Sequence, residues 1–213
     1  MNERLLIFDC DGTLVDSEGI ANEVFVSHVQ NLGIPLTNEE AWEHFPGTSL
    51  ALCMKYVEES FDVTLPDGFI GRYRQQQRIA FAEKLQPISG VKKALSELNS
   101  LKCVASNGPM DIIRRNLITA KLDRYFDDRI YSAYDLKKWK PLPDLFLHAA
   151  NAHQMAPEDC VVVEDSEAGI KAGLNAGMTV LAFQPSHQKY MPNMEGTITF
   201  DDMAELPEVI ASL

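Results

Sequence analysis

The sequence predicts an α/β protein, a doubly wound parallel sheet with an inserted α-helical domain, and three observations predict it. Short apolar or β-branched runs recur along the chain and, in its second half, alternate with segments of helical character. Three of those runs end in polar groups: Asp9, then Ser106 with Asn107, then Glu164 with Asp165. From Asp16 to Leu85, by contrast, no comparable run occurs, and the pattern is helical throughout.

The elements follow in order. "LLIF" at 5–8 is apolar at every position, as a strand buried on both faces should be. The next stretch is expected to form helices over 17–32, 38–45, 48–60 and 66–84, the first with Val24, Phe25, His28, Val29 and Leu32 on one face. "LQPISG" at 85–90 marks the return to the sheet. The chain therefore divides into a core domain of residues 1–15 and 86–213 and an inserted helical domain of residues 16–85. Beyond the insertion, "KCVA" at 102–105, "RIYS" at 129–132, "CVVV" at 160–163 and "TVLAF" at 179–183 read as strands. Helices are expected around 90–99, 110–119, 143–153 and 167–176. From 185 a loop containing Pro185 and Pro192 leads to a short strand near "TITF" and a closing helix opened by "DDMAEL".

Composition narrows the partners. Nineteen basic against thirty-one acidic residues leave a formal charge of -12, which argues against nucleic acid and against an anionic membrane surface. An anionic substrate would need local positive charge, and a bound cation is a simple source. The four cysteines, Cys10, Cys53, Cys103 and Cys160, form no C-x-x-C pair and have no close histidine, so neither a zinc site nor a disulfide framework is expected. No apolar run reaches the length of a signal peptide core or a membrane helix. A cytoplasmic protein is the expectation.

Ligands of an open α/β sheet bind beyond the carboxyl ends of its strands, so Asp9, Ser106, Asn107, Glu164 and Asp165 should converge on one pocket. Asp9 and Asp11, one residue apart, repel each other unless one takes a proton or a cation lies between them. Taken alone, an Asp-x-Asp after a strand is an ordinary turn or cap, and Glu164 with Asp165 an ordinary start to a helix. Cys10, between the aspartates, reads as a packed residue facing away from any bound cation rather than as a nucleophile, and Arg72, Arg74 and Arg78 as a solvated helix face.

"DCDGT" at 9–13, "SNG" at 106–108, "KP" at 140–141 and "VVEDSEAGIKAGLNAGM" at 162–178 together resemble the four ordered motifs of the haloacid dehalogenase superfamily. The place of the helical insertion is similar to that of the β-phosphoglucomutase-like subgroup with a small helical cap, and within it the chain looks most like phosphogluconate-type sugar phosphatases. The resemblance implies a Rossmann-like core and a phosphomonoesterase for a small phosphorylated metabolite, a sugar or sugar-acid phosphate. Asp9 would be the nucleophile that forms an aspartyl-phosphate, and Asp11 would protonate the leaving alcohol and then activate water. It further implies Mg²⁺, held by the Asp9 carboxylate, the Asp11 carbonyl and Asp165, with Glu164 either direct or through water. Lys140 would sit near Asp9 and the phosphate, while the Ser106 hydroxyl and the Asn107 amide would bind phosphoryl oxygens. Pro109 suits a first helical position, and Thr13 can bond the loop that carries both aspartates. In the cap, Gly47, Thr48 and Ser49 stand where relatives touch the substrate.

A phosphosugar mutase would share every core residue, but such relatives place a basic residue after the cap serine, where this chain has Leu50 after Ser49. A dehalogenase has no use for Asp11. A phospho-acceptor signalling module, or a binder without catalysis, would lack the helical insertion or part of the set Asp9, Asp11, Ser106, Lys140 and Asp165.

Overall fold

The computed structural model describes residues 4–45, 48–185 and 194–213, in two compact units: Met1–Asp16 with Gln86–Leu213, and Ser17–Leu85. The first unit is built on six strands: β1 (Leu5–Phe8), β2 (Leu101–Ser106), β3 (Ile130–Ser132), β4 (Cys160–Glu164), β5 (Thr179–Phe183) and β6 (Thr197–Phe200). They form one parallel sheet in the order β3-β2-β1-β4-β5-β6, with β1 and β4 at its centre. Every residue of β1 is fully buried, which is why that run carries no polar residue until it ends. The order steps outward in opposite directions from β1 and β4, so the crevice outside their carboxyl ends is the switch point where ligands bind. Register brings the polar residues to that edge: Phe8 pairs with both Val104 and Val163, so Asp9 and Glu164 leave the sheet side by side and Ser106 ends β2 beside them.

The second unit holds α1 (Glu18–Gln30), α2 (Asn38–His44), α3 (Leu50–Phe61) and α4 (Phe69–Lys84). Its core is aromatic: the Phe25 ring meets Phe45, Phe69 and Tyr73 edge-on at centroid distances of 5.3, 5.9 and 5.6 Å. A capping box fixes the start of α2, with Thr37 Oγ1 accepting from Glu40 N and Glu40 Oε2 accepting from Thr37 N. Several boundaries shift by one to three residues from the sequence expectation, and two of these shifts have a visible cause. Leu32 is exposed because α1 stops at Gln30, before the turn at Gly33, and α4 starts at Phe69 because Gly68 takes φ +76°. The two crossings between the units lie together within the sheet unit, Asp16 N donating to Gln86 O and Ile88 N to Leu14 O.

The sheet unit completes itself with α5 (Val91–Glu97), α6 (Met110–Ala120), α7 (Ala133–Leu136), α8 (Asp144–Ala152), α9 (Glu167–Asn175) and α10 (Leu206–Ala211). Leu5 and Ile7 of β1, with Val162 and Val180, pack against Phe146 and Ala149 of α8 and Ile170 of α9. Phe8 points to the other face, where its ring meets Phe126 edge-on at 5.9 Å. The closing helix is shorter than expected: Met203–Glu205 form a 3-10 turn, and Pro207 then sits in the first turn of α10. Among the described residues no helix is long and apolar enough to cross a membrane.

Candidate active site

The strand ends place the predicted carboxylates together. Asp9, Glu164 and Asp165 are all buried, and each offers an oxygen within 4.8 Å of the others'. Lys140, which follows α7, reaches into this group: its Nζ donates to Asp9 Oδ1 at 2.5 Å and to Glu164 Oε1 at 2.6 Å. Burial pushes the Asp9 carboxyl up to about 8; Lys140 opposes the rise, while Glu164 and Asp11 add to it. Burial alone would lower the Lys140 pKa, but Asp9 and Glu164 hold it above the ordinary lysine value, so it remains an ammonium. Burial also drives the Cys10 thiol far up, and Asp11 and Asp9 drive it further, which leaves it a packed, protonated residue.

Glu164 is committed on both oxygens. Oε1 takes Lys140, and Oε2 accepts from Asp165 N, Ser166 N and Ser166 Oγ. Four donors fill a carboxylate, so Glu164 fixes the ammonium and the turn that carries Asp165. Ser166 goes on to cap α9 by accepting from Gly169 N. Gly169 lets the helix pass close to Glu164, since a Cβ there would overlap its carboxylate.

Asp165 is oriented from the first motif. Thr13, fully buried, donates from Oγ1 to Asp165 Oδ1 at 2.6 Å, so this hydroxyl links two motifs rather than bracing its own loop, as the sequence suggested. Gly12 takes φ +82° beside it, and any side chain at that position would overlap Asp165 Oδ2.

On the other side, Ser106 Oγ accepts from Gly108 N at 3.0 Å, and Ser132 at the end of β3 donates to Gly108 O at 2.6 Å. A Cβ on Gly108 would lie 3.4 Å from Ser106 Oγ and 4.0 Å from Asp11 Oδ2, so the hydroxyl and the second aspartate flank one glycine. Asn107 accepts at Oδ1 from Lys140 N, which ties the phosphate-loop candidate to the lysine loop. Pro109 is the residue before the first turn of α6 rather than its first helical position. Asp11 Oδ1 accepts from Asn116 Nδ2 at 3.3 Å, and Asn116 is buried in mid-helix.

Sequence reading missed Asn116, Ser132 and Ser166. A signal existed for Asn116: it shares the buried stripe of α6 with Ile113, Leu117 and Ala120, where a polar residue needs a partner.

Of the remaining candidates, Gly47 lies outside the described residues. Thr48 and Ser49 belong to the helical unit: Thr48 lines a pocket within that unit, and Ser49 caps α3 by accepting from Leu52 N.

The donor set suits a hard cation. Oxygens of Asp9, Glu164 and Asp165 converge, while the Lys140 ammonium bonds only Asp9 and Glu164, an excess of acidic groups that a divalent ion would balance.

Comparison with known proteins agrees with this architecture. Residues 6–183 match the haloacid dehalogenase-like hydrolase family. The chain is 37% identical over 206 residues to the 6-phosphogluconate phosphatase of Escherichia coli (strain K12), covering 96% of this chain and 93% of that protein. Among solved structures, a haloacid dehalogenase-like protein of Agrobacterium tumefaciens (strain C58) superposes with a TM-score of 0.89 at 34% identity, covering 99% of each chain. A hydrolase of the same family from Deinococcus radiodurans R1, solved with bound phosphate and sodium, gives 0.83 at 27% identity, covering 99% of this chain and 96% of that one.

Proposed function

We propose, from the premise that the chain belongs to the haloacid dehalogenase-like hydrolase family and is a phosphatase, that it hydrolyses a small sugar or sugar-acid phosphate through an aspartyl-phosphate on Asp9. One observation carries the proposal: a buried carboxylate at the centre of the sheet, bonded to an ammonium and flanked by a second aspartate and a hydroxyl, in a family of hydrolases. The Escherichia coli relative, a 6-phosphogluconate phosphatase, supports the substrate class, and the phosphate bound in the Deinococcus relative supports the chemistry.

In this mechanism an Asp9 oxygen attacks phosphorus and the P–O bond to the alcohol breaks, with Asp11 giving its proton to the departing oxygen. Asp11, now ionised, takes a proton from water as that water attacks the phospho-aspartate, so Asp9 and inorganic phosphate are regenerated. Lys140 neutralises charge on the transferring group, held in place by Glu164. Ser106 and the Asn107 amide, at the end of β2, bind phosphoryl oxygens. Asp9, Asp165 and the Asp11 carbonyl are the proposed Mg²⁺ ligands, and the ion, when bound, supplies positive charge to the phosphoryl oxygens. Glu164, whose lone pairs are already occupied, positions Lys140 and the Asp165 turn instead of binding the ion directly. The helical unit is proposed as the cap that selects the alcohol, and the cytoplasm as its location, which the four free thiols favour.

The test is phosphate release across sugar, sugar-acid and nucleoside phosphates, with Mg²⁺ and with chelator. Metal-dependent release concentrated on one class is expected; folded protein that releases none defeats the proposal.

Two residues that touch the machinery only indirectly give sharper predictions. Asn116→Leu removes a donor to a carboxylate, worth about 1.5–3 kcal/mol, so kcat should fall about 10- to 100-fold with KM little changed. A loss confined to KM would show that Asn116 does not position Asp11. Thr13→Val keeps shape but leaves Asp165 without its hydroxyl donor, and half-saturation by Mg²⁺ should rise about 10- to 100-fold. An unchanged metal titration would remove Asp165 from the ligand set.

A further inference from the structure

Strands β2 and β3 both end on serine, and their parallel register pairs the two: Ser106 lies beside Ser132, each the last residue of its strand. Both are buried, and both bond to the same residue, Gly108. Ser106 Oγ accepts from Gly108 N at 3.0 Å, while Ser132 Oγ donates to Gly108 O at 2.6 Å. The two serines therefore hold the two peptide planes that flank one glycine.

That glycine needs holding. With no Cβ, its φ and ψ are restricted less by sterics than those of any other residue. The peptide that follows it ends in Pro109, which has no N–H, so the Gly108 carbonyl is the one hydrogen-bonding group by which that plane can be fixed. The residue before it is already tied, since Asn107 Oδ1 accepts from Lys140 N at 3.0 Å. Without Ser132 the loop from Ser106 to Pro109 would keep a free joint at Gly108, and the Gly108 N–H could leave Ser106.

A serine hydroxyl has one proton to give. The Gly108 N–H occupies the Ser106 oxygen as acceptor, and among the described residues the Ser106 proton goes to no protein group. It is left for an oxygen of a ligand. A Cβ on Gly108 would stand 3.4 Å from Ser106 Oγ and 4.0 Å from Asp11 Oδ2, so the hydroxyl lies on the same side of the loop as the proposed acid.

Ser132 also starts α7, accepting from Tyr134 N at 3.2 Å, and capping alone would explain a serine there. Capping uses only the acceptor. The donor half of the hydroxyl goes to a carbonyl 24 positions away, which the cap does not require.

We propose that Ser132 is a positioning residue for phosphoryl binding, acting through Gly108 on the Ser106 hydroxyl. The assignment rests on the phosphatase reading only in naming a phosphoryl oxygen as what that hydroxyl meets.

The probe is inorganic phosphate, titrated by calorimetry into the full chain in Mg²⁺ buffer, with the ester panel above run in parallel. Ser132→Ala is expected to weaken phosphate binding about 5- to 10-fold, as loss of one orienting hydrogen bond would. In a Ser106→Ala background the same change should cost less than about 2-fold, because the group it orients is gone. Should Ser132→Ala not fold, judged by its thermal midpoint, Ser132→Cys keeps the volume with only a weak donor and should show the same dependence on Ser106.

A serine that only supports the fold would weaken phosphate equally with and without the Ser106 hydroxyl. Equal losses in the two backgrounds, unchanged affinity in Ser132→Ala, or a folded wild type that binds no phosphate overturns the assignment, and release from the esters then leaves the phosphatase reading standing. Coupled losses of phosphate affinity in a protein that releases phosphate from no ester support the assignment and defeat the phosphatase reading.

Discussion

Asp9→Asn is expected to lower phosphate release by at least about 10⁴-fold with the fold intact. The size follows from the role: an amide cannot form and release the phospho-enzyme, and no neighbour can substitute. Glu164 has its lone pairs filled, Asp165 is held by Thr13, and the Cys10 thiol is locked in its protonated form. Stability should move the other way. Burial and two nearby carboxylates disfavour the ionised Asp9 in the folded state, so a neutral isostere removes a cost that the active site imposes. The checks are turnover, acid-stable versus acid-labile phosphate on the protein after quench, and the thermal midpoint. Wild-type-like turnover from a sample whose substitution is verified by mass would end the nucleophile assignment; a collapsed midpoint would end the claim that Asp9 strains the fold.

How legible this site was in the sequence depended on what kind of information each residue carried. Strands buried on both faces appear as unbroken apolar runs, so β1 and β4 stood out, and the residue that ends such a run necessarily lies at the sheet edge. That logic reached Asp9, Ser106, Glu164 and Asp165. It did not reach Lys140, which lies on a loop after the four-residue α7 and meets Asp9 across 131 positions of sequence; only the motif resemblance pointed to it. Short elements such as α7 have too few residues to show a period. Asn116 and Thr13 were harder for a different reason. Their partners, Asp11 and Asp165, are chosen by the register of α6 and by the approach of two strand-end loops, which local spacing does not encode. The sequence did contain a trace of Asn116, a polar residue on the apolar stripe of α6.

Lys140→Met should cost the metal-free protein about 3–5 kcal/mol of stability, a loss carried by a single functional side chain. Lys140 is almost wholly buried and is the cation bonded to both Asp9 and Glu164, and methionine replaces its volume without its charge. Deleting one partner leaves the others as uncompensated buried charges, which costs more than the pair was worth. Asp9 can relieve part of this by keeping its proton, since burial already favours that form. Glu164 has less room to do so, because Oε2 is the acceptor of two backbone amides and a hydroxyl that organise the start of α9. The damage should therefore concentrate there. Turnover should fall at least about 10³-fold, through lost charge at the phosphoryl group. Urea titrations in chelator and in Mg²⁺ separate the causes: a cation placed between Asp9 and Asp165 restores part of the lost stability, while one that binds elsewhere restores none. Combining Lys140→Met with Glu164→Gln should cost less than the sum of the two single changes, because the second removes the charge that the first strands. Strict additivity would mean that Glu164 does not hold the lysine in place, and its four hydrogen bonds would then need another explanation.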